Sequence, residues 1–398
     1  MHELVFLAKL RFFVYFVKDN TNNMEEIKKL YPFKFLPIGE DFPWGGTEIE
    51  RKYGKSFVIS DDQGRVKKME KGSRVAESLE IADLGYRDSQ IFDGWLAGNT
   101  IGEVMDMYMD RIVGEKVFNY YGRQFPLNIK IIDAEKHLPL TVHPDDETAE
   151  QRYDFLGKAK MWYVLDTRPG AKLYLGFKHD TDAGQLYGAC LDGSVSSMLN
   201  TVEPHPGECY NIRPGTVNSA CGVLLLEVGE ASPLDFCLYD WGREGSNEAS
   251  DTGLGLEEAL DFIDFKAYVP AGAPEGKLAR GDEFTATKLE LKDPVRIVAG
   301  EDGGFAVYFC VSGEAAIQVH GPDAIESTVI RTAETVLVPA EINEFYLVPR
   351  QAGTVLVEVL VEREEKPDEY IDPSAEPVLP DEGEEFKFNS VYGRFSKN

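Results

Sequence analysis

The chain has 398 residues, 43% hydrophobic and 28% charged, with 69 acidic against 41 basic side chains and a net charge of −28. Such a field repels phosphate backbones and anionic membrane surfaces, which argues against nucleic acid and membrane as partners; an anionic ligand would need a local basic pocket. The length exceeds the roughly 250–300 residues at which a single core stops growing, so more than one domain is expected.

At the N-terminus, LVFLAKLRFFVYFV (4–17) is apolar but interrupted by Lys9 and Arg11. It is shorter than the ~20 residues of a spanning helix and no small-residue cleavage site follows. Residues 1–23 are therefore expected to be an upstream extension before a start at Met24, with a targeting segment as the alternative. Residues 24–268 form the first unit. Its candidate helices are 100–114, where Ile101, Val104, Met105, Tyr108 and Ile112 recur at helical spacing, and 255–265. Between them lie short strands rich in β-branched and aromatic residues, namely FPLNIKIIDA, LPLTVHP, KMWYVLD, AKLYLGF, ECYNIRPG and CGVLLLEVGE. VPAGAPEGK (269–277) reads as a linker, 278–362 as a second all-β unit, and 363–398 as an acidic, Pro-rich tail. The fold class is mainly β, with jelly-roll barrels and a few helices on the first. The five cysteines, Cys190, Cys209, Cys221, Cys237 and Cys310, are odd in number and show no CxxC spacing, which fits free thiols in the cytoplasm.

The stretch LPLTVHPDDE raises the question of a site. In a strand Thr141 and His143 share a face, and Pro144 ends the pairing, leaving the histidine at a strand end where barrel sites lie. Asp145 and Asp146 face solvent or cap the turn. GKAKMWYVLD places Lys158 and Lys160 on one side of a strand, as a solvated basic edge or as contacts to a phosphate or sugar hydroxyl. Asn218 follows the RPGT turn, either satisfying turn backbone or lining a pocket. Cys237 has no basic neighbour or partner histidine in sequence to activate its thiol, so packing explains it. Gly-rich phosphate loops, HExxH and GxSxG are missing, and HPDDE lacks the alternating ligands of a calcium loop.

Taken in order, YPFKFLPIGEDFPWGGTEI, VAESLEIAD, GWLAGNTIGEV, FPLNIKIIDA, LTVHPDD, GKAKMWYVLD, RPGTVNSACGVLLLEV and FCLYDW resemble the type I phosphomannose isomerases, in particular the short bacterial forms. The resemblance spans about residues 31–267 and implies a tandem cupin. The family interconverts mannose 6-phosphate and fructose 6-phosphate with a zinc-like ion that stabilises charge on an enediol route. Matched position by position, the family's four metal ligands fall on Thr141, His143, Lys160 and Asn218, and its arginine on Cys237. Only His143 is retained among the ligands. Lys158 is retained as the candidate catalytic residue, as are the scaffold residues Trp44, Gly45, Gly46, Glu77, Tyr239 and Asp240. One imidazole cannot hold zinc, and an ammonium at Lys160 would repel it. The expectation is a catalytically impaired homologue without a metal cofactor. It would bind a hexose phosphate or similar anion in a pocket lined by Thr141, Lys158, Lys160, Asn218 and Cys237. A zinc-dependent mannose-6-phosphate isomerase using His137, His179 or His205 as substitute ligands, and a structural or protein-interaction role, are the alternatives.

Overall fold

The computed structural model describes residues 28–60, 66–243, 255–273, 275–299, 303–321 and 324–361, and the strands Phe386–Asn389 and Arg394–Lys397. The expected extension at 1–23 and the rest of the tail lie outside these residues. Two compact units are distinguished, 1–31 and 32–398; only residues 28–31 of the first are described, and the architecture below belongs to the second.

Eleven strands of the N-terminal region join one sheet: β1 (Ile38–Glu40), β2 (Val58–Ser60), β3 (Val66–Lys68), β4 (Glu77–Ile81), β5 (Leu127–Ala134), β6 (Leu140–Val142), β7 (Lys160–Phe177), β8 (Leu199–Val202), β9 (Cys209–Ile212), β10 (Asn218–Glu230) and β11 (Phe236–Tyr239). Their order is β11-β6-β10-β5-β4-β1-β2-β3, with β7 along the other edge of β10 and β8 and β9 on β7. Nearly every residue of β5 and β10 is buried, because both faces of these central strands are covered. On one face Val223 and Leu225 meet Ile132, Ala134, Val164 and Leu173 in an apolar cluster. Two residues further along the same face the pattern turns ionic, with Glu227 on β10 opposite Lys130 on β5. A second apolar cluster joins Leu140 and Val142 of β6 and Phe236 and Leu238 of β11 to Leu186, Ala189 and Cys190 of the helix Ala183–Asp192, which Asp182 caps by accepting the Gln185 N–H.

Several expected elements differ. The helix expected over 100–114 divides into Ile101–Tyr108, opened by a Thr100/Glu103 capping box, and Asp110–Val113. Met109, at φ 49°, breaks the run. Of 255–265 only Leu256–Ala259 is helical, and Phe262, Ile263 and Phe265 pack on the second cluster from outside the helix. KMWYVLD and AKLYLGF are one strand, β7, whose Arg168–Gly170 segment rides over a register shift opposite Gly222. Lys158 lies before that strand, since its N–H bonds to the Pro144 carbonyl instead of a ladder partner.

The C-terminal region supplies β12 (Ala279–Arg280), β13 (Thr285–Leu291), β14 (Val295–Val298), β15 (Ala306–Ser312), β16 (Glu314–His320), β17 (Ile325–Arg331), β18 (Thr335–Val338), β19 (Glu344–Pro349) and β20 (Thr354–Leu360). They form a sheet β12-β13-β20-β15-β18 and a sheet β14-β19-β16-β17. Tyr308, Cys310 and Leu356 of the first and Ile317, Phe345 and Leu347 of the second share one core, as in a sandwich. Phe33, fully buried, exchanges backbone hydrogen bonds of 2.7 and 3.0 Å with Leu337, and burial of one such side chain contributes about 1.5–3 kcal/mol. Lys34–Glu334, Arg111–Glu341 and the Phe125–Phe305 ring pair add to the same seam.

Candidate functional site

Thr141, Asn218 and Cys237 come together through backbone register. Thr141 of β6 pairs with Asn218 of β10 on one side and Cys237 of β11 on the other. Asn218 is buried and donates from Nδ2 to the carbonyls of Thr141 (3.2 Å) and Thr216 (3.0 Å). Because Leu140 and Val142 turn into the apolar cluster, Thr141 turns the other way, and His143 follows directly after the strand. Pro144 and Asp145 then leave the strand, and Asp145 caps the helix Asp146–Tyr153 by accepting the Thr148 N–H.

A row of charges crosses four neighbouring strands. Lys130 (β5) donates to both oxygens of Glu77 (β4) at 2.9 Å and lies 3.4 Å from Glu227 (β10). Lys160 (β7) lies 3.2 Å from Glu227 and 5.0 Å from the centre of the Trp162 ring, and Trp162 Nε1 donates to Glu227 at 2.6 Å. Burial alone would raise Glu227, but Lys130 and then Lys160 hold it below the usual carboxylate range. Burial would likewise lower Lys130; Glu227 and Glu77 overcome it and raise the amine. At Lys160 burial wins over Glu227, with Lys158 and Lys130 adding repulsion, and the amine falls below its ordinary value. Burial pushes Glu77 up against the pull of Lys130, which donates to both of its oxygens.

Beside this row, Asp235 joins Lys158 and His143. Lys158 donates to its two oxygens at 3.0 and 3.1 Å, and His143 Nδ1 lies 3.0 Å from Oδ1 and 3.0 Å from the Leu234 carbonyl. Burial opposes ionisation of Asp235, yet Lys158 and His143 hold it well below the usual carboxylate range. His143 is pushed down to about 4 by burial and by Lys160, against Asp235, so its ring is neutral near pH 7. Asp235 keeps 35% of its side-chain surface while His143 keeps 1% and Lys158 2%, so solvent reaches the group on the aspartate side.

The metal implied by the resemblance can be tested against these donors. Three protein ligands and an open position are usual for catalytic zinc. Positions 141, 143, 160 and 218 offer a hydroxyl, an imidazole, an ammonium and an amide that donates to two carbonyls. The nearby carboxyl groups, Glu77, Glu227 and Asp235, are each engaged by a lysine. His137 is packed on Trp241 and bonded to Tyr174, His205 lies beside Glu208 at the surface, and His179 is exposed. Among the described residues no three His, Cys, Asp or Glu side chains are grouped to hold an ion, and the donor set does not fit one.

Sequence reading missed Lys130, Glu227 and Asp235 and took Glu77 only as scaffold. A signal existed for two of them: a lysine in LNIKIIDA and a glutamate in VLLLEV interrupt strands that are otherwise apolar, and such charges stay buried only when paired. The scaffold glycines, by contrast, are explained by space. A Cβ on Gly45 would stand 2.4 Å from Ala76 Cβ, and one on Gly46 would stand 2.5 Å from Asp133 Oδ2, the oxygen that accepts the Glu48 N–H.

No family model matches the chain. It is 25% identical over 290 residues to the probable mannose-6-phosphate isomerase GmuF of Bacillus subtilis, covering 72% of this chain and 82% of that protein. It is 27% identical over 235 residues to the mannose-6-phosphate isomerase ManA of the same organism, covering 58% and 68%. Among solved structures, the mannose 6-phosphate isomerase from Bacillus subtilis superposes with a TM-score of 0.68 at 20% identity, over 83% of this chain and 99% of that one. A putative mannosephosphate isomerase from Archaeoglobus fulgidus gives 0.64 at 21%, over 85% and 99%. The mainly β architecture, the ordered motifs and these relatives agree: the chain is similar to the phosphomannose isomerases in sequence and in fold.

Proposed function

We propose that this chain is a metal-independent, catalytically impaired member of the phosphomannose isomerase family that binds a hexose phosphate or a similar small polyol anion. Its two β regions would be the paired cupin jelly rolls, and its setting the cytoplasm. The observation that carries the reading is the Lys160–Glu227 ion pair at 3.2 Å, which puts a buried ammonium at the position matched to a metal-binding carboxylate. At an effective dielectric of about 20, a monovalent and a divalent cation 4 Å apart repel by roughly 8 kcal/mol. Two contributions to catalysis go with the ion: polarisation of the sugar carbonyl and stabilisation of the enediolate. The position matched to the family's arginine holds Cys237, which offers no cationic donor, and loss of one such donor typically costs about 100- to 1,000-fold in turnover. Lys158, Thr141 and Asn218 remain as polar lining.

The test is formation of fructose 6-phosphate from mannose 6-phosphate, with zinc added and with EDTA, alongside calorimetric titration of hexose phosphates. Saturable binding without zinc-stimulated turnover is expected. Turnover that rises with zinc and vanishes with EDTA would overturn the reading, and no heat with any sugar phosphate would point instead to a structural or protein-interaction role.

A further inference from the structure

The fold treats the two ring nitrogens of His143 differently. Nδ1 faces two acceptors, the Leu234 carbonyl and Asp235 Oδ1, each at 3.0 Å, so it carries the hydrogen and Nε2 is left with a lone pair. Nε2 is shut off from solvent and meets no hydrogen-bond partner. A second buried acceptor, Asn128 Oδ1, is in the same position. Asn128 pairs with Gly229 of β10, and Gly229 pairs on its other side with Lys160, so Asn128 stands in the row next to the charges. Buried acceptors without donors are rare in folded proteins, and a bound molecule is one explanation for them.

The charges around them are already matched. Lys130 is paired with Glu77 and Glu227, Lys160 with Glu227, and Lys158 with Asp235. Three ammonium groups thus face three carboxylates. A phosphoryl dianion placed among them would find no net positive charge and would have to break existing pairs. What the interior needs is an uncharged hydrogen-bond donor.

We propose that Nε2 of His143 accepts a hydrogen bond from an un-ionised hydroxyl of a sugar or polyol, with a second hydroxyl serving Asn128, while any phosphoryl group stays outside the charge-balanced cluster. The route in is the Asp235 side, where the carboxylate keeps a third of its surface. This proposal rests on the sugar-binding reading above and deepens it. It changes the ranking of ligands, because affinity should follow the hydroxyls and depend little on the phosphate.

The experiment is calorimetric titration in EDTA with a hexose, a hexitol and their 6-phosphates, together with nitrogen-15 NMR of the His143 ring. Expected are the Nδ1–H tautomer, a shift of the Nε2 resonance on adding the unphosphorylated ligand, and affinity for that ligand within about tenfold of its phosphate. His143→Asn keeps an amide donor for Leu234 and Asp235 but removes the Nε2 acceptor; it should weaken binding about tenfold with an unchanged melting profile. Asn128→Ala gives a second, independent loss if the first variant does not fold. Binding that demands the phosphate and leaves Nε2 unmoved overturns this inference and leaves the sugar-phosphate reading standing. A resonance fixed by a trapped water and indifferent to every ligand that binds also overturns it, whereas no binding by any sugar or phosphate overturns both.

Discussion

Replacing Glu227 by Gln strands Lys160 without altering shape. Glutamine keeps an oxygen for the Trp162 N–H at 2.6 Å, and Lys130 keeps Glu77 at 2.9 Å, but Lys160 loses its carboxylate while only 5% of its side chain is exposed. The buried amine can then escape the penalty only by losing its proton. Deprotonating an ordinary lysine, of pKa about 10.4, at pH 7 costs about 1.4 kcal/mol for each of 3.4 pH units, or roughly 4–5 kcal/mol, which caps the loss of stability. Breaking a buried pair by removing one partner gives about 3–5 kcal/mol by an independent route. The sign with pH follows from the lowered folded-state pKa of Lys160: the native state binds fewer protons than the unfolded one between the two pKa values, so stability rises with pH in that window. The penalty of Glu227→Gln should therefore fall to about 2 kcal/mol at pH 9 and vanish above the unfolded pKa of about 10.4. Urea unfolding of both proteins at pH 7, 8 and 9 measures this, and Glu227→Gln combined with Lys160→Met should recover most of the loss. A penalty below about 1 kcal/mol at pH 7, or one independent of pH and not relieved by the second substitution, would refute a buried, ion-paired Lys160.

Gly45→Ala should destabilise the chain by about 3 kcal/mol or more, because its Cβ would meet Ala76 Cα at 2.5 Å and backbone cannot rotate away; an unchanged melting temperature would contradict that packing. Asp83 is raised to about 6 by burial, opposed by the Phe125 N–H and reinforced by Asp88 and Asp106. Its stabilising contribution is present below the unfolded pKa of about 3.9 and is lost as pH rises through the folded value. Asp83→Asn, which keeps an acceptor for the Phe125 N–H, should melt progressively higher than the parent as pH goes from 4 to 7, and parallel melting curves at every pH would disprove the shift.

The strands of both regions were legible because β-branched and aromatic runs end at Gly, Pro and Asp. Asn218 and Cys237 could be placed beside Thr141 only through family motifs, since their meeting depends on long-range register between strands far apart in the chain. The break at Met109 was not legible: a methionine in left-handed backbone leaves no trace in an apolar pattern. The fused β7 was hidden by Arg168–Pro169–Gly170, which reads as a turn and is instead carried across an irregularity opposite Gly222. At the site, the lysines of GKAKMWY suggested free positive charge for an anion. Their carboxylate partners, Glu227 and Asp235, arrive from residues 67 to 77 positions away in sequence, and no local pattern announces them.

Whether the cluster can hold a divalent ion is decided by one determination. The purified chain and its His143→Ala variant are equilibrated with zinc, desalted, and assayed for bound metal by mass spectrometry. A site whose carboxylates are neutralised by Lys158 and Lys160 predicts well under one ion per chain, with no difference between the two proteins. One zinc retained per chain and lost in the variant would contradict it.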